Sequence, residues 1–247
     1  MNKMEVLAKL LELGEAFTIQ EALDHLKIDR NLMKYYLKVL SEAGFIKRIG
    51  KGVYALTPDP KETPSIHEFV LTSLFIKPSA IAYWSALNYH GFTEQIPNIV
   101  FVQTTARKKR QELGVFGVRY KIVRIKPEKF FGIEKAWIEE FQVPITDREK
   151  TVVDCLDKPR YCGGIIEVAK AFREELGIEK LREYALRMDN SAVIRRLGYL
   201  CDYFGVDIDL KKPKTRNYIL LDPTMPREGN VNSKWRVIVN VELEGLE

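Results

Sequence analysis

The chain has 247 residues, of which 46% are hydrophobic and 30% are charged, with 39 Lys and Arg against 34 Asp and Glu. This apolar content can build a core, which excludes a disordered protein, and the length favours two domains. Charges interrupt every apolar stretch well before the roughly 20 residues of a membrane span, and no leader opens the chain, so a cytoplasmic protein is expected. Three scattered Cys and three scattered His indicate neither disulfides nor a zinc site.

The N-terminal 57 residues have the pattern of a winged helix-turn-helix. The expected elements in chain order are helices at 2–13, 19–26 and 30–43, then strands at 45–49 and 53–56. Thr18 and Glu21 form the signature of a capping box before the second helix. The third helix is expected to bury Leu32, Tyr36, Leu37 and Leu40. A Gly-rich tip at 50–52 joins the two strands as a hairpin, the wing of such a domain.

Basic residues concentrate in the third helix and the hairpin. Between Lys27 and Lys51 seven bases accompany two acids, whereas residues 1–26 carry two bases and five acids. The third helix and the wing are the parts of this fold that approach DNA, where Lys and Arg neutralise phosphates. The predicted DNA-binding residues here are Arg30, Asn31, Lys34, Tyr35, Lys38, Lys47, Arg48 and Lys51. The alternative to DNA binding is that these residues form only the solvated face of an amphipathic helix, in a winged helix that contacts other proteins.

A proline-rich stretch at 58–64 indicates a linker between a first domain at 1–57 and a second at 65–247. The second domain mixes helical and strand patterns without strand–helix–strand alternation, so the expected fold class is α+β. The expected helices lie at 66–76, 80–89, 151–156, 165–176, 178–188 and 191–204. The expected strands lie at 99–103, 120–126, 143–145, 218–221 and 236–241.

The densest run of charge in the second domain is Arg107, Lys108, Lys109 and Arg110. This run has two possible interpretations: a second contact to phosphate, or a solvated loop with no binding role. Near the next helix, Thr146 is expected to be the N-cap, with Glu149 three residues later. Arg195 and Arg196 stand on an otherwise apolar helix, where an ion pair or a partner surface is expected for one of them.

Asp207 and Asp209 raise an enzymatic alternative. They alternate on a strand-like segment, so both carboxylates could face one divalent cation. A metal-dependent nuclease, or an enzyme that modifies a partner toxin, would need such acids. No phosphate-binding glycine loop and no nucleophile motif supports catalysis, so the favoured interpretation is a protein that is not an enzyme and has no cofactor.

The sequence resembles the AbiEi family of antitoxin transcriptional regulators, which belong to type IV toxin–antitoxin systems encoded in AbiE operons. The matching stretches are Ala82–Leu87 with Tyr89-His90-Gly91, Phe130-Phe131-Gly132, Val143–Asp154, Tyr161–Gly164, Asn190–Ala192 and Arg195–Gly198. Together with the N-terminal pattern they cover most of the chain.

The resemblance implies an N-terminal winged helix that binds inverted repeats in double-stranded DNA of its own promoter. It implies a second domain that counters a separately encoded, nucleotidyltransferase-like toxin without forming a stable complex. A monomer or weak dimer is expected. By this resemblance Asn31, Lys34, Tyr35 and Lys38 face the DNA groove, Lys47, Arg48 and Lys51 act from the wing, and Arg107–Arg110 make the second phosphate contact.

Overall fold

The computed structural model describes residues 1–57, 66–107, 110–115 and 117–246. Helices and mixed sheets occur together in these segments, so the protein has the α+β fold that the sequence predicts. The expected linker at 58–64 lies outside the described residues, as do Lys108 and Lys109 of the basic run.

Residues 1–57, called the N-terminal unit below, hold three helices beside a small antiparallel sheet. The elements are α1 (Lys3–Leu11), β1 (Ala16–Thr18), α2 (Ile19–Leu26), α3 (Arg30–Glu42), β2 (Ile46–Gly50) and β3 (Val53–Leu56). β3 lies between β1 and β2. The expected capping box is present: the Glu21 N–H donates to the Thr18 hydroxyl at 3.1 Å, and the Thr18 N–H donates to the Glu21 carboxylate at 2.7 Å.

One expectation about α3 is wrong. Leu32 is 39% exposed, and Met33 occupies the core instead. The buried residues of α3 are Met33, Tyr36, Leu37 and Leu40, a stripe with the spacing i, i+3, i+4, i+7. Leu32 lies about 90° round the helix from the centre of this stripe, so its side chain leaves the core face.

A six-stranded sheet follows the N-terminal unit. Its region contains α4 (Glu68–Phe75), β4 (Ala80–Ile81), α5 (Tyr83–Tyr89), β5 (Ile99–Thr104), β6 (Glu112–Val115), β7 (Val118–Arg124), β8 (Ile133–Ile138) and β9 (Phe141–Thr146). The strand order is β6-β7-β5-β4-β9-β8. Pairs β5–β7 and β4–β9 are parallel, and the other neighbours are antiparallel. The expected strands at 99–103, 120–126 and 143–145 correspond to β5, β7 and β9.

The two faces of this sheet carry separate hydrophobic cores. On β5, Val100 and Val102 belong to the core that includes α4, whereas Phe101 belongs to the core on the other side. This alternation follows from the two-residue period of a strand. The second core is completed by the helices α6 (Arg148–Asp157), α7 (Ile165–Ala169), α8 (Ile178–Arg187) and α9 (Ser191–Phe204).

The chain ends in a small three-stranded sheet. Its strands are β10 (Ile219–Leu220), β11 (Asn230–Asn232) and β12 (Val237–Val239), with β12 in the middle, parallel to β10 and antiparallel to β11. The strand expected around Asp207 and Asp209 is absent, because the segment between α9 and β10 pairs with no other strand of the described chain. Alternation along a segment does not make a strand unless a neighbour supplies the hydrogen bonds.

An apolar contact joins the N-terminal unit to the six-stranded sheet. Ile49 of β2 packs against the same core as Phe75 of α4. A Cβ on Gly50 would stand 2.3 Å from Cε1 of Phe75, so the strand and the ring meet directly. This set of contacts is called the α4 contact below. Lys77, two residues further on, reaches Glu21 of α2 at 3.8 Å.

Candidate nucleic-acid interface

The exposed face of α3 is positioned by a cap and by the buried stripe opposite. The Asp29 carboxylate accepts hydrogen bonds from the Asn31 and Leu32 N–H groups at 2.7 and 3.1 Å, which fixes where the helix begins. The Tyr36 hydroxyl donates to the Met1 carbonyl and ties the chain start to the helix. α3 therefore presents its outer face from a fixed base.

Four predicted DNA-binding residues share that outer face. Asn31, Lys34, Tyr35 and Lys38 are all exposed and have the spacing i, i+3, i+4, i+7. Tyr35 is 60% exposed although it is aromatic. An amide, a phenol and two ammonium groups can together hydrogen-bond base edges and neutralise phosphates.

The cations of α3 make few ion pairs with carboxylates of the described chain. Lys38 is 3.8 Å from Glu42, and both side chains are well exposed. Among the described residues, no carboxylate lies within 4.0 Å of Arg30 or Lys34. An exposed pair at this distance contributes little to stability, so an incoming phosphate can replace it at low cost.

The hairpin of β2 and β3 adds a second basic edge. Lys47, Arg48 and Lys51, the residues predicted to act from the wing, are exposed. The Arg48 guanidinium donates through Nε to the Gly50 carbonyl at 3.0 Å, which holds it along the strand near a register shift in the hairpin. Because Lys47 and Arg48 are neighbours on a strand, their side chains leave opposite faces, and one surface cannot receive both equally.

The structure brings one end of the predicted second basic run to the hairpin. Arg110 and Lys51 line the same cleft of about 290 Å³ between β2–β3 and the sheet. Glu112 also lines this cleft, but its carboxylate accepts a hydrogen bond from Lys121 at 2.9 Å, which lowers the pKa of Glu112. Arg107 is exposed at the other end of the loop.

A further basic stretch was not predicted from the sequence. Residues 211–216, between α9 and β10, contain four exposed cations and no acid: Lys211, Lys212, Lys214 and Arg216. The density of charge was the signal, since this stretch equals the Arg107–Arg110 run in number of cations. Among the described residues these four have no ion pair within 4.0 Å.

The two acids of the enzymatic alternative lie at the surface. Asp207 and Asp209 are both exposed, and Asp209 pairs with Arg182 at 3.3 Å while its side chain stays 90% exposed. The described residues contain no group of three or more His, Cys, Asp or Glu placed to hold a metal ion.

The stretch 146–154, which carries much of the family resemblance, is built into the core. The N-cap of α6 is Asp147 and not Thr146: the Asp147 carboxylate accepts from the Lys150 N–H at 2.8 Å. The Thr146 hydroxyl instead forms a hydrogen bond with the Thr151 hydroxyl, with 2.7 Å between the two oxygens. Lys150 and Asp154 form a buried ion pair. Burial, with a smaller contribution from repulsion by Asp157, raises the pKa of Asp154 and outweighs the effect of Lys150.

Glu149 and Asp147 tie α6 to α8. Lys180 of α8 lies 3.0 Å from Glu149 and 3.2 Å from Asp147. Burial acts to raise the pKa of Glu149, but hydrogen bonds from the Gly177 N–H and Lys180 outweigh it and lower that pKa. These side chains thus have partners inside the fold, and the stretch acts as scaffold.

Arg195 and Arg196 also form hydrogen bonds inside the fold. Contrary to the expected ion pair or partner surface, both are buried and both donate to backbone carbonyls. Arg195 donates to Trp235 and Asn217 at 3.1 and 2.6 Å, and Arg196 to Leu156 and Leu221 at 2.7 and 3.0 Å. Burial lowers the pKa of Arg196 to about 10. The two side chains hold the small C-terminal sheet against α6 and α9.

Comparisons with known proteins find a similar fold and no related sequence. No protein-family model matches the chain, and no curated protein matches it. Among solved structures, it is similar to the crystal structure of the RV2827C protein from Mycobacterium tuberculosis, with a TM-score of 0.64 and 14% sequence identity, over 95% of this chain and 91% of that chain. At this identity the likeness shows the fold alone. None of the described helices has the length and apolar content needed to cross a bilayer.

Proposed function

We propose that the chain is a sequence-specific DNA-binding regulator that represses its own operon in the cytoplasm, with residues 1–57 acting as a winged helix-turn-helix. One observation carries the proposal: Asn31, Lys34, Tyr35 and Lys38 form a single exposed face on a capped helix, beside a basic hairpin. The order of helices and strands in the N-terminal unit agrees with that of a winged helix.

The test is a titration of the full chain against DNA from upstream of its own gene, with excess nonspecific competitor and at several salt concentrations. Lys34→Ala and Lys38→Ala should each reduce the slope of log K against log salt by about one unit. Lys9→Ala is the matched control, since Lys9 is an exposed lysine that lies on α1 and not on α3.

Asn31→Ala tests base readout separately from phosphate contact. It should cost about 1–3 kcal/mol on the preferred site and little on unrelated DNA, because an amide that reads a base edge contributes only where that base is present. Unchanged slopes in both lysine variants, or no competitor-resistant binding at all, would assign α3 to protein contacts instead.

We further propose, from the family resemblance, that the region after residue 65 acts as an antitoxin against a nucleotidyltransferase-like toxin and has no enzymatic activity of its own. Co-expression should restore growth to cells that produce such a toxin encoded beside this gene. Rescue should persist in the Lys34→Ala and Lys38→Ala double variant, because toxin neutralisation is assigned to the other region. A failure of rescue by the wild-type chain would refute the antitoxin role.

A further inference from the structure

A cavity of about 660 Å³ lies between the end of α4 and the start of β8, and its described lining contains no residue of the N-terminal unit. Its walls include residues 76–79 after α4, residues 130–135 around the start of β8, and Pro144 of β9. Small-molecule sites in proteins are typically about 300–1,000 Å³ and mostly apolar. The size and position of this cavity therefore suit a small organic ligand.

The apolar wall of the cavity is held in place from behind. Phe131 is 7% exposed, and its ring meets Tyr184 with centroids 5.1 Å apart and the Arg187 guanidinium at 4.0 Å. The neighbouring Gly132 approaches α6 so closely that a Cβ on it would stand 2.8 Å from Lys150 Cβ. A wall clamped in this way does not need to be rebuilt when a ligand binds, which lowers the entropic cost of binding.

The polar side chains at this cavity favour an anionic group. Lys77 and Lys135 both line it and are exposed, whereas Glu134 is the one carboxylate among the described lining residues. Lys77 reaches Glu21 only at 3.8 Å, and no carboxylate of the described chain lies within 4.0 Å of Lys135.

We propose that this cavity is a binding site for a small amphipathic anion, with an aromatic or aliphatic body against Phe131 and Ile76 and a carboxylate or sulfonate beside Lys135 and Lys77. The site is independent of the DNA-binding proposal, because it requires no nucleic acid. Its chemistry distinguishes it from the solvated basic surface of α3, which offers cations without an apolar wall.

The experiment compares two fluorescent probes that share an aromatic body, anilinonaphthalene sulfonate, which is anionic, and phenylnaphthylamine, which is neutral. Both are titrated into the full chain without DNA. Lys135→Glu should weaken binding of the sulfonate about tenfold and leave the neutral probe unchanged, because the variant loses a charge-assisted contact that only the anion makes. Lys212→Glu changes net charge equally at an exposed residue that does not line the cavity, and should affect neither probe.

Filling the cavity provides the second arm. Ile133→Trp should weaken both probes, whereas Ile166→Trp, at a 38% exposed position outside this cavity, should weaken neither. Circular dichroism checks that each variant is folded. The proposal would be overturned if Lys135→Glu and Ile133→Trp each bound both probes with the same affinity as the wild type. Lys135 is exposed on an edge strand, so its variant remains informative even if Ile133→Trp fails to fold.

Discussion

Gly50 stands where the hairpin of the N-terminal unit meets the ring of Phe75, and it has no room for a side chain there. Gly50→Ala forces a Cβ against the ring, and overpacking of this kind costs about 1–3 kcal/mol of unfolding free energy. Gly114 on β6 is the matched control, because a Cβ there meets nothing within 4 Å and its φ is not positive. We expect urea unfolding to show a clear loss for Gly50→Ala and a change within about 0.5 kcal/mol for Gly114→Ala. Equal effects would mean that the ring moves aside freely.

Individual side chains were predictable where their partners are close in sequence. Thr18 and Glu21 satisfy each other three residues apart, so the capping box could be read directly. Leu32 and Met33 differ only in which of two adjacent apolar residues faces the core, and that depends on α1 and the sheet as much as on α3. Arg196 could not be assigned, because its acceptors are carbonyls 25 and 40 positions away.

The junction between α5 and α6 predicts a dependence of stability on pH. His90, at the C-terminal end of α5, is half-buried and donates through Nε2 to the Thr146 carbonyl at 2.7 Å, just before α6. Burial lowers the pKa of His90 below its usual 6.5, outweighing that hydrogen bond. The unfolded chain therefore takes up a proton on this side chain at a higher pH than the folded chain does.

The sign follows from that difference. As pH falls from about 7.5 through 6.5, the unfolded state gains the proton first, so the unfolding free energy contributed by His90 decreases. In His90→Gln this contribution is absent. We expect the stability advantage of the wild type over His90→Gln to shrink between pH 7.5 and pH 5, measured by urea unfolding at each pH. An advantage that stays constant would show that His90 titrates alike in both states.

Helices were easier to predict than strands. α3 and α9 each carry a long apolar stripe that needs no knowledge of a partner. β1 and β4 were missed because they are short and pair with strands further along the chain, β3 and β5. β8 pairs with β9 across a tight turn, and it was missed because it is an edge strand with an irregular pattern of side chains. β8 shows this well, since its Trp137 is 66% exposed and breaks the pattern of a half-buried strand.

Seen as a whole, the molecule brings three acids together where the N-terminal unit faces the β8–β9 turn. Partial burial raises the pKa of Glu15, and repulsion from Glu139 and Glu140 raises it further. The folded state therefore holds this proton more tightly than the unfolded state, and stability falls as pH rises through the titration of Glu15. Glu15→Gln should raise the melting temperature at pH 7 by about 1 °C, because solvent screens an exposed side chain, and should leave it unchanged at pH 4.

Glu12 provides the control for this prediction within the same unit. Its side chain is exposed and pairs with His25 at 2.9 Å, and it is not among the carboxylates that act on Glu15. Glu12→Gln removes the same charge as Glu15→Gln but relieves no repulsion from Glu139 and Glu140, so it should not raise the melting temperature at pH 7. A rise of equal size in both variants would point to the net charge of the protein as the cause.

The placement of the basic surface could be predicted only in part. The sequence pointed to α3 and the hairpin because charge and apolar spacing coincide there. That Arg110 lines the same cleft as Lys51 depends on how the N-terminal unit packs against the sheet, which no local pattern reveals.

The α4 contact has a consequence for anyone who wishes to cut this protein into pieces. Ile49 and Phe75 share one core, and Phe141 lies against Gly14, with its Cζ 3.0 Å from where a Cβ would stand. A fragment that starts at residue 66 would leave Phe75 and Phe141 facing water, and exposed aromatic patches promote self-association. Failure of such a truncation to bind DNA would then reflect aggregation as readily as loss of the DNA-binding surface. Point variants of the intact chain avoid this ambiguity.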